Sequence, residues 1–255
     1  MAGAAHAEIT PWAHNEGGRM RIITLPPEPD GTIRGALQIE PENGWITYWR
    51  EPGEAGIPPQ ITFPPESGVT LAAMHFPAPK EFVDGDVRDL GYDHPVALPF
   101  TVKAGGTPLP SSLTTSAFIG LCRNICIPFQ ADFQLNLRAS RLPLEENLIL
   151  DEAMRRLPEP PSPEFSVRSA QIDSAGATLD LRLDLPDHQA EPKIIVVAPE
   201  GHVFLDHSAP SQEGDTKRFA VSLEGLKDKE KAGTSNWSVL VILGERAMES
   251  SLAIK

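Results

Sequence analysis

The chain has two cysteines, Cys122 and Cys126, in the stretch GLCRNICIPF at residues 120–129. Two thiols at this spacing can form a structural cross-link, supply half of a soft-metal site, or act as an exchangeable redox pair. In one continuous strand their Cα atoms would lie about 13 Å apart, at roughly 3.3 Å per residue. A disulfide needs them within about 7 Å. The chain must therefore turn between them. The intervening Arg-Asn-Ile carries Asn in the middle, and Asn tolerates the left-handed conformation used by three-residue hairpin loops. Cys122 is expected to end one strand and Cys126 to begin the next, facing each other across the base of the turn. Pro128 lacks a backbone donor, which favours an edge position for the second strand.

A cross-link over so short a loop stabilises by only about 2 kcal/mol on the chain-entropy estimate. That is a weak return for a purely structural bond, and exposed or strained disulfides are the labile ones. Exchange is the favoured chemistry, with a structural disulfide as an alternative. A Cu(I) site is a further alternative, because two thiolates suit that soft ion whereas zinc asks for four ligands. His75, His94 and Met74 share the region, but their spacing does not tie them to the pair. The Cys-x-x-Cys pattern at a helix start, as in thioredoxin, is absent. Arg123, between the cysteines, has the charge to lower a thiol pKa.

The elements that must position the pair read as strands. In the first part they are TIRGALQIEP, ITYWRE, VTLAAMHFP, VALPFTVK, LTTSAFIGL and FQADFQLNLRA. A helix is expected within residues 140–157, with Leu144, Leu148, Ile149 and Met154 at near-helical spacing between Pro143 and Pro158. PEPPSPEF follows and reads as a stiff linker. Beyond it, FSVRSAQID, ATLDLRLDL, KIIVVAP, RFAVSL and WSVLVILG are short strands at regular intervals, which fits an immunoglobulin-like sandwich. The expected fold is all-β: two immunoglobulin-like β-sandwich domains, residues 1–157 and 158–255, joined by a short helix and a Pro-rich linker.

The chain has 255 residues, 26 of them proline, and a formal net charge of −13. Its acidity argues against nucleic acid as a partner. No apolar run reaches the roughly 18–20 residues that span a bilayer as a helix. The N-terminus shows no basic and apolar signal-peptide regions, but the small-residue run AAHAE reads as the trimmed edge of an exported protein. No Ser/His/Asp arrangement, Gly-rich phosphate loop or paired acid/base motif appears, so neither hydrolase nor nucleotide chemistry is expected; the expected cofactor is none.

A second concentration of chemistry lies at residues 44–59, GWITYWREPGEAGIPP, where Trp45, Tyr48 and Trp49 fall within five residues. Together with PAPKEF, GYDHPVALP and CRNICIP, in this order, the string resembles the periplasmic N-terminal domain of DsbD/ScsB-type thiol:disulfide interchange proteins. The shared motifs span roughly residues 35–137. The resemblance implies an immunoglobulin-like first domain whose Cys122–Cys126 pair is the last relay of a reductant pathway. It implies a membrane-embedded electron donor domain and periplasmic thioredoxin-fold acceptors such as disulfide isomerases, with links to cytochrome c maturation or copper tolerance. By the same resemblance Cys126 forms the mixed disulfide with the partner. Tyr48 and Trp49 wall the pair, and Phe82 and Tyr92 lie in segments that can reach over it. The spacing departs from DsbD, where the two cysteines stand further apart.

Overall fold

A computed structural model describes residues 8–53, 56–85, 87–105, 111–137, 143–187, 190–206, 209–213, 216–226 and 236–254. The chain is all-β with one α-helix among the described residues, and it divides into two compact units, Met1–Leu157 and Pro158–Lys255. Most of the run AAHAE and the beginning of the expected helical segment lie outside the described residues, as do the last two residues of FQADFQLNLRA.

The first unit contains β1 (Glu8–Ile9), β2 (Ala13–Asn15), β3 (Gly18–Thr24), β4 (Thr32–Pro41), β5 (Ile46–Gly53) and β6 (Gln60–Thr62). Then come β7 (Val69–Met74), β8 (Lys80–Asp84), β9 (Val87–Tyr92), β10 (Val96–Ala104), β11 (Ser112–Cys122), β12 (Cys126–Asn136) and α1 (Leu144–Arg155). They form two antiparallel sheets. One runs β1-β3-β4-β10-β7, with β2 on β3; the other runs β12-β11-β5-β9-β8, with β6 on β11. Alternation decides which side of each strand is buried. On β12, Phe129, Phe133 and Leu135 are buried while Cys126, Pro128, Gln130 and Gln134 are exposed. On β10, Val96, Leu98, Phe100 and Val102 are buried, as are Leu37 and Ile39 on its neighbour β4.

Helix α1 packs on the first sheet through Leu150, which clusters with Leu25, Ala36 and Ala97. Two alanines on the sheet allow the helix backbone a close approach. The helix is present, but its packing differs from the pattern expected. Leu144, Leu148 and Met154 are exposed, and the buried positions are Glu146, Leu150 and Ala153. One helix on a sheet buries a narrow stripe, and residues 150 and 153 define it.

The second unit contains β13 (Ser166–Ile172), β14 (Thr178–Asp184), β15 (Lys193–Val197), β16 (Val203–Asp206), β17 (Ser211–Glu213), β18 (Thr216–Ser222), β19 (Trp237–Leu243) and β20 (Arg246–Leu252). Its sheets, β13-β14-β18-β17 and β16-β15-β19-β20, share one core. Leu179, Leu181, Leu183 and Phe219 come from the first sheet, and Ile194, Val196, Val239 and Met248 from the second. PEPPSPEF is not a free spacer. The Glu159 main chain pairs with Ala247 and Glu249, and its carboxylate takes two hydrogen bonds from Arg246. Proline removes donors, but the non-proline positions of this stretch still hydrogen-bond and dock.

Candidate redox site

Strands β11 and β12 form a hairpin whose register places Cys122 opposite Cys126, with Arg123, Asn124 and Ile125 as the loop. The two cysteines form a disulfide, with Cα atoms 4.2 Å apart. This close approach is that of a non-hydrogen-bonded antiparallel pair. The Arg123 N–H donates to the Ile125 carbonyl at 3.3 Å, which sets the same phase from the loop side.

The two sulfurs have unequal surroundings. Cys122 is 6% exposed, whereas Cys126 is exposed. Ile125, at the tip, is 68% exposed. Next to Cys122 lies β5, which pairs Ile46 with Cys122 and Thr47 with Leu121. One residue further along β5 is Tyr48. It is fully buried, and its hydroxyl donates to Cys122 Sγ at 2.8 Å and lies 3.2 Å from Cys126 Sγ.

The Tyr48 ring fits because two glycines leave room for it. A Cβ on Gly120 would lie 3.1 Å from one ring carbon, and a Cβ on Gly56 would lie 2.7 Å from another. Asp89, on β9, acts on the same phenol. Burial, followed by the charge and hydrogen-bonding influence of Asp89, pushes the Tyr48 pKa up to about 12. The hydroxyl therefore keeps its proton at neutral pH and serves as a donor. Burial also raises the Asp89 carboxyl, with its interaction with Tyr48 pulling the other way. Asp89 Oδ1 is buried and has no hydrogen-bond partner among the described residues.

The other candidates have the following neighbours. Tyr92 stands opposite Thr47, on the face that Leu121 shares, and its hydroxyl donates to the Pro77 carbonyl at 2.8 Å. Phe82 is half-buried on β8, opposite Asp89 and three strands from β11. Trp49 is fully buried, with the Arg50 guanidinium 4.0 Å from its ring centre. Arg123 is exposed, and its guanidinium lies 4.9 Å from the Trp45 ring centre. Of the aromatic residues singled out from the sequence, Tyr48 is the one hydrogen-bonded to the sulfurs.

Asp89 escaped the sequence reading, because an acid in VRDLGY carries no local sign of burial. Trp45 was visible as part of an aromatic group, but its stacking under Arg123 was not. Among the described residues, no cluster of three or more His, Cys, Asp or Glu side chains could hold a metal. No described helix is long and apolar enough to cross a membrane.

With this geometry in place, comparison with known proteins is informative. Residues 21–138 match the family described as thiol:disulfide interchange protein DsbD, N-terminal. No curated protein matches the chain. Among solved structures, the N-terminal periplasmic domain of ScsB from Proteus mirabilis is 22% identical, with a TM-score of 0.74 over 98% of this chain and 99% of that one. A conserved domain protein from Bacillus anthracis is 10% identical over 92% of this chain and 75% of its own, with a TM-score of 0.26, too low to carry an argument. The segment holding the Cys122–Cys126 pair is thus a domain of the DsbD N-terminal family, set in a chain with the fold of the ScsB N-terminal periplasmic domain.

Proposed function

We propose that this chain is a periplasmic reductant relay. It exchanges its Cys122–Cys126 disulfide with thioredoxin-fold proteins and is re-reduced by a membrane-embedded donor domain. Both units are read as immunoglobulin-like sandwiches, with residues 1–157 as the redox domain and 158–255 as a second domain. The observation that carries the reading is the asymmetry of the pair. Cys126 is an exposed residue, while Cys122 is buried and its sulfur accepts a hydrogen bond from Tyr48.

The chemistry follows from that asymmetry. In the reduced protein the Cys126 thiolate attacks one sulfur of the partner's disulfide. A new S–S bond forms, and the partner's second sulfur leaves with the electron pair. Cys122 then loses its proton and attacks Cys126 Sγ. The intramolecular disulfide closes and the partner leaves as a dithiol, two electrons richer. A protonated Tyr48 at 2.8 Å stabilises the Cys122 thiolate that the second step needs.

The test is a trap. Cys122→Ala leaves Cys126 without its resolving partner, so an oxidised thioredoxin-fold protein should accumulate as a mixed disulfide on Cys126. Cys126→Ala should trap far less, because the remaining sulfur is shielded. A reduction potential near −200 mV in glutathione buffers would accompany ready exchange, whereas about −300 mV or below with no trapped species would mark a structural bond.

A further inference from the structure

Most arginines of this acidic chain hold a carboxylate. Arg19, Arg34, Arg88, Arg168, Arg218 and Arg246 each pair with an acid of their own unit. Arg123 differs. Its guanidinium makes no hydrogen bond or ion pair with another described residue, and it lies 4.9 Å from the centre of the Trp45 ring.

The platform beneath this cation is fixed. Trp45 is buried, and its ring lies so close to Gly17 that an added Cβ there would come within 2.4 Å of it. The turn before Trp45 closes through its N–H on the Glu42 carbonyl, and Gly44 takes a φ of +80° in that turn. The Arg123 stem passes over the turn, with Cδ 3.7 Å from the place of a Gly44 Cβ. Trp45 leads into β5, whose Ile46 pairs with Cys122. Arg123 itself directly follows Cys122, in the loop that leads to exposed Cys126.

A guanidinium stacked on a ring engages one face of its plane. The N–H donors along its edge stay available to a carboxylate. Stacking also orders a long side chain before a partner arrives, so less rotamer freedom is lost on binding. An unpaired, pre-positioned cation beside a reactive pair can choose among disulfides by charge.

Resting on the interchange reading above, we propose that Arg123 sets specificity, selecting disulfides that carry a carboxylate within one or two residues of the reactive sulfur. The partner surface that fits is acidic beside its cysteine. The chain as a whole has a formal net charge of −13, which repels acidic proteins at long range. Arg123 supplies the local exception that admits one in a single orientation.

The test uses the full chain, reduced, and three short end-capped peptides. Each has a central cysteine carried as a mixed disulfide with a neutral chromogenic thiopyridine. The residues flanking the cysteine are aspartates, serines or lysines. Reaction with a small neutral thiol calibrates the intrinsic reactivity of each peptide. The Cys126 thiolate attacks the peptide sulfur, and the thiopyridine leaves with the electron pair and is counted. Cys122 then attacks Cys126 Sγ, and the peptide departs as a thiol.

After calibration, the aspartate peptide should react about three- to fivefold faster than the serine peptide, the worth of one exposed ion pair. The lysine peptide should be the slowest, and high salt should shrink the differences. Arg123→Gln should bring the three rates together, and Arg123→Glu should reverse their order. An effect of the arginine on the thiol alone would move all three rates in parallel. Ratios that Arg123→Gln leaves unchanged, or equal aspartate and serine rates in the parent, would overturn the proposal while leaving interchange intact. A reduced protein that fails to react even with a small aryl disulfide would sink the interchange reading, and this proposal with it.

Discussion

At the residue scale, the site is one buried phenol shared by two sulfurs and watched by one acid. Tyr48→Phe removes the hydroxyl and leaves the ring. A hydrogen bond to a charged group contributes about 1.5–3 kcal/mol, so the Cys122 thiol pKa should rise by roughly one to two units. The rate of resolving a mixed disulfide on Cys126 should then show its pH inflection at correspondingly higher pH, measured by stopped-flow. A purely structural role for the hydroxyl would lower stability and leave that inflection in place. Asp89→Asn removes the negative charge beside the phenol, and Tyr48 should ionise below its present value of about 12 in an ultraviolet titration.

The same variant tests linkage. The Asp89 pKa is raised in the folded protein, so the unfolded chain gives up this proton first. Folding stability from this group is present below the unfolded pKa and is lost as pH climbs through the folded one. Asp89→Asn should therefore gain stability relative to the parent at neutral pH, and the gain should vanish in acid. Chemical denaturation at both pH values reads the difference directly.

At the element scale, the β11–β12 hairpin brings the sulfurs together and β5 delivers the phenol to them. The Tyr48 ring is held between Gly120 and Gly56. Gly56→Ala would place a methyl 2.7 Å from the ring and 2.3 Å from Pro52 Cβ, so the ring must shift. Overpacking of this kind costs about 1–3 kcal/mol. The expected result is a less stable protein whose resolving step also slows, as in Tyr48→Phe. Loss of stability with an unchanged rate would show that the hydroxyl reaches the sulfurs without the glycine clamp.

At the scale of the whole molecule, both cysteines lie in the first unit, so the disulfide acts on one unit only. Its short loop makes it worth about 2 kcal/mol. For a unit of this size, that corresponds to a shift in melting temperature of roughly 4–8 °C. Calorimetry with and without dithiothreitol should lower one transition by about that amount and leave the other in place. A single transition that reductant shifts as a whole would show that the units unfold together.

Much of this was legible in the chain itself. Alternation marked β14, because half-buried strands write their burial with a period of two, and β4, β10, β11 and β19 were legible as strands as well. The short Cys-x₃-Cys spacing required a turn, Asn124 and the flanking apolar runs made it a hairpin, and the aromatic string at 44–59 contained the residue that meets the sulfurs. Strand β3 and the β8–β9 hairpin were missed: GRMRIIT mixes charged and apolar residues, and Val83 and Val87 are exposed apolar positions on a polar hairpin. Tertiary structure alone decided which cysteine is buried, which aromatic reaches the pair, and that Asp89 is drawn against Tyr48. Those outcomes depend on strand order and on the phase of hydrogen bonding across β11 and β12. Neither is written in the period of a single strand; both are set by which strands become neighbours when the sheets close on their cores.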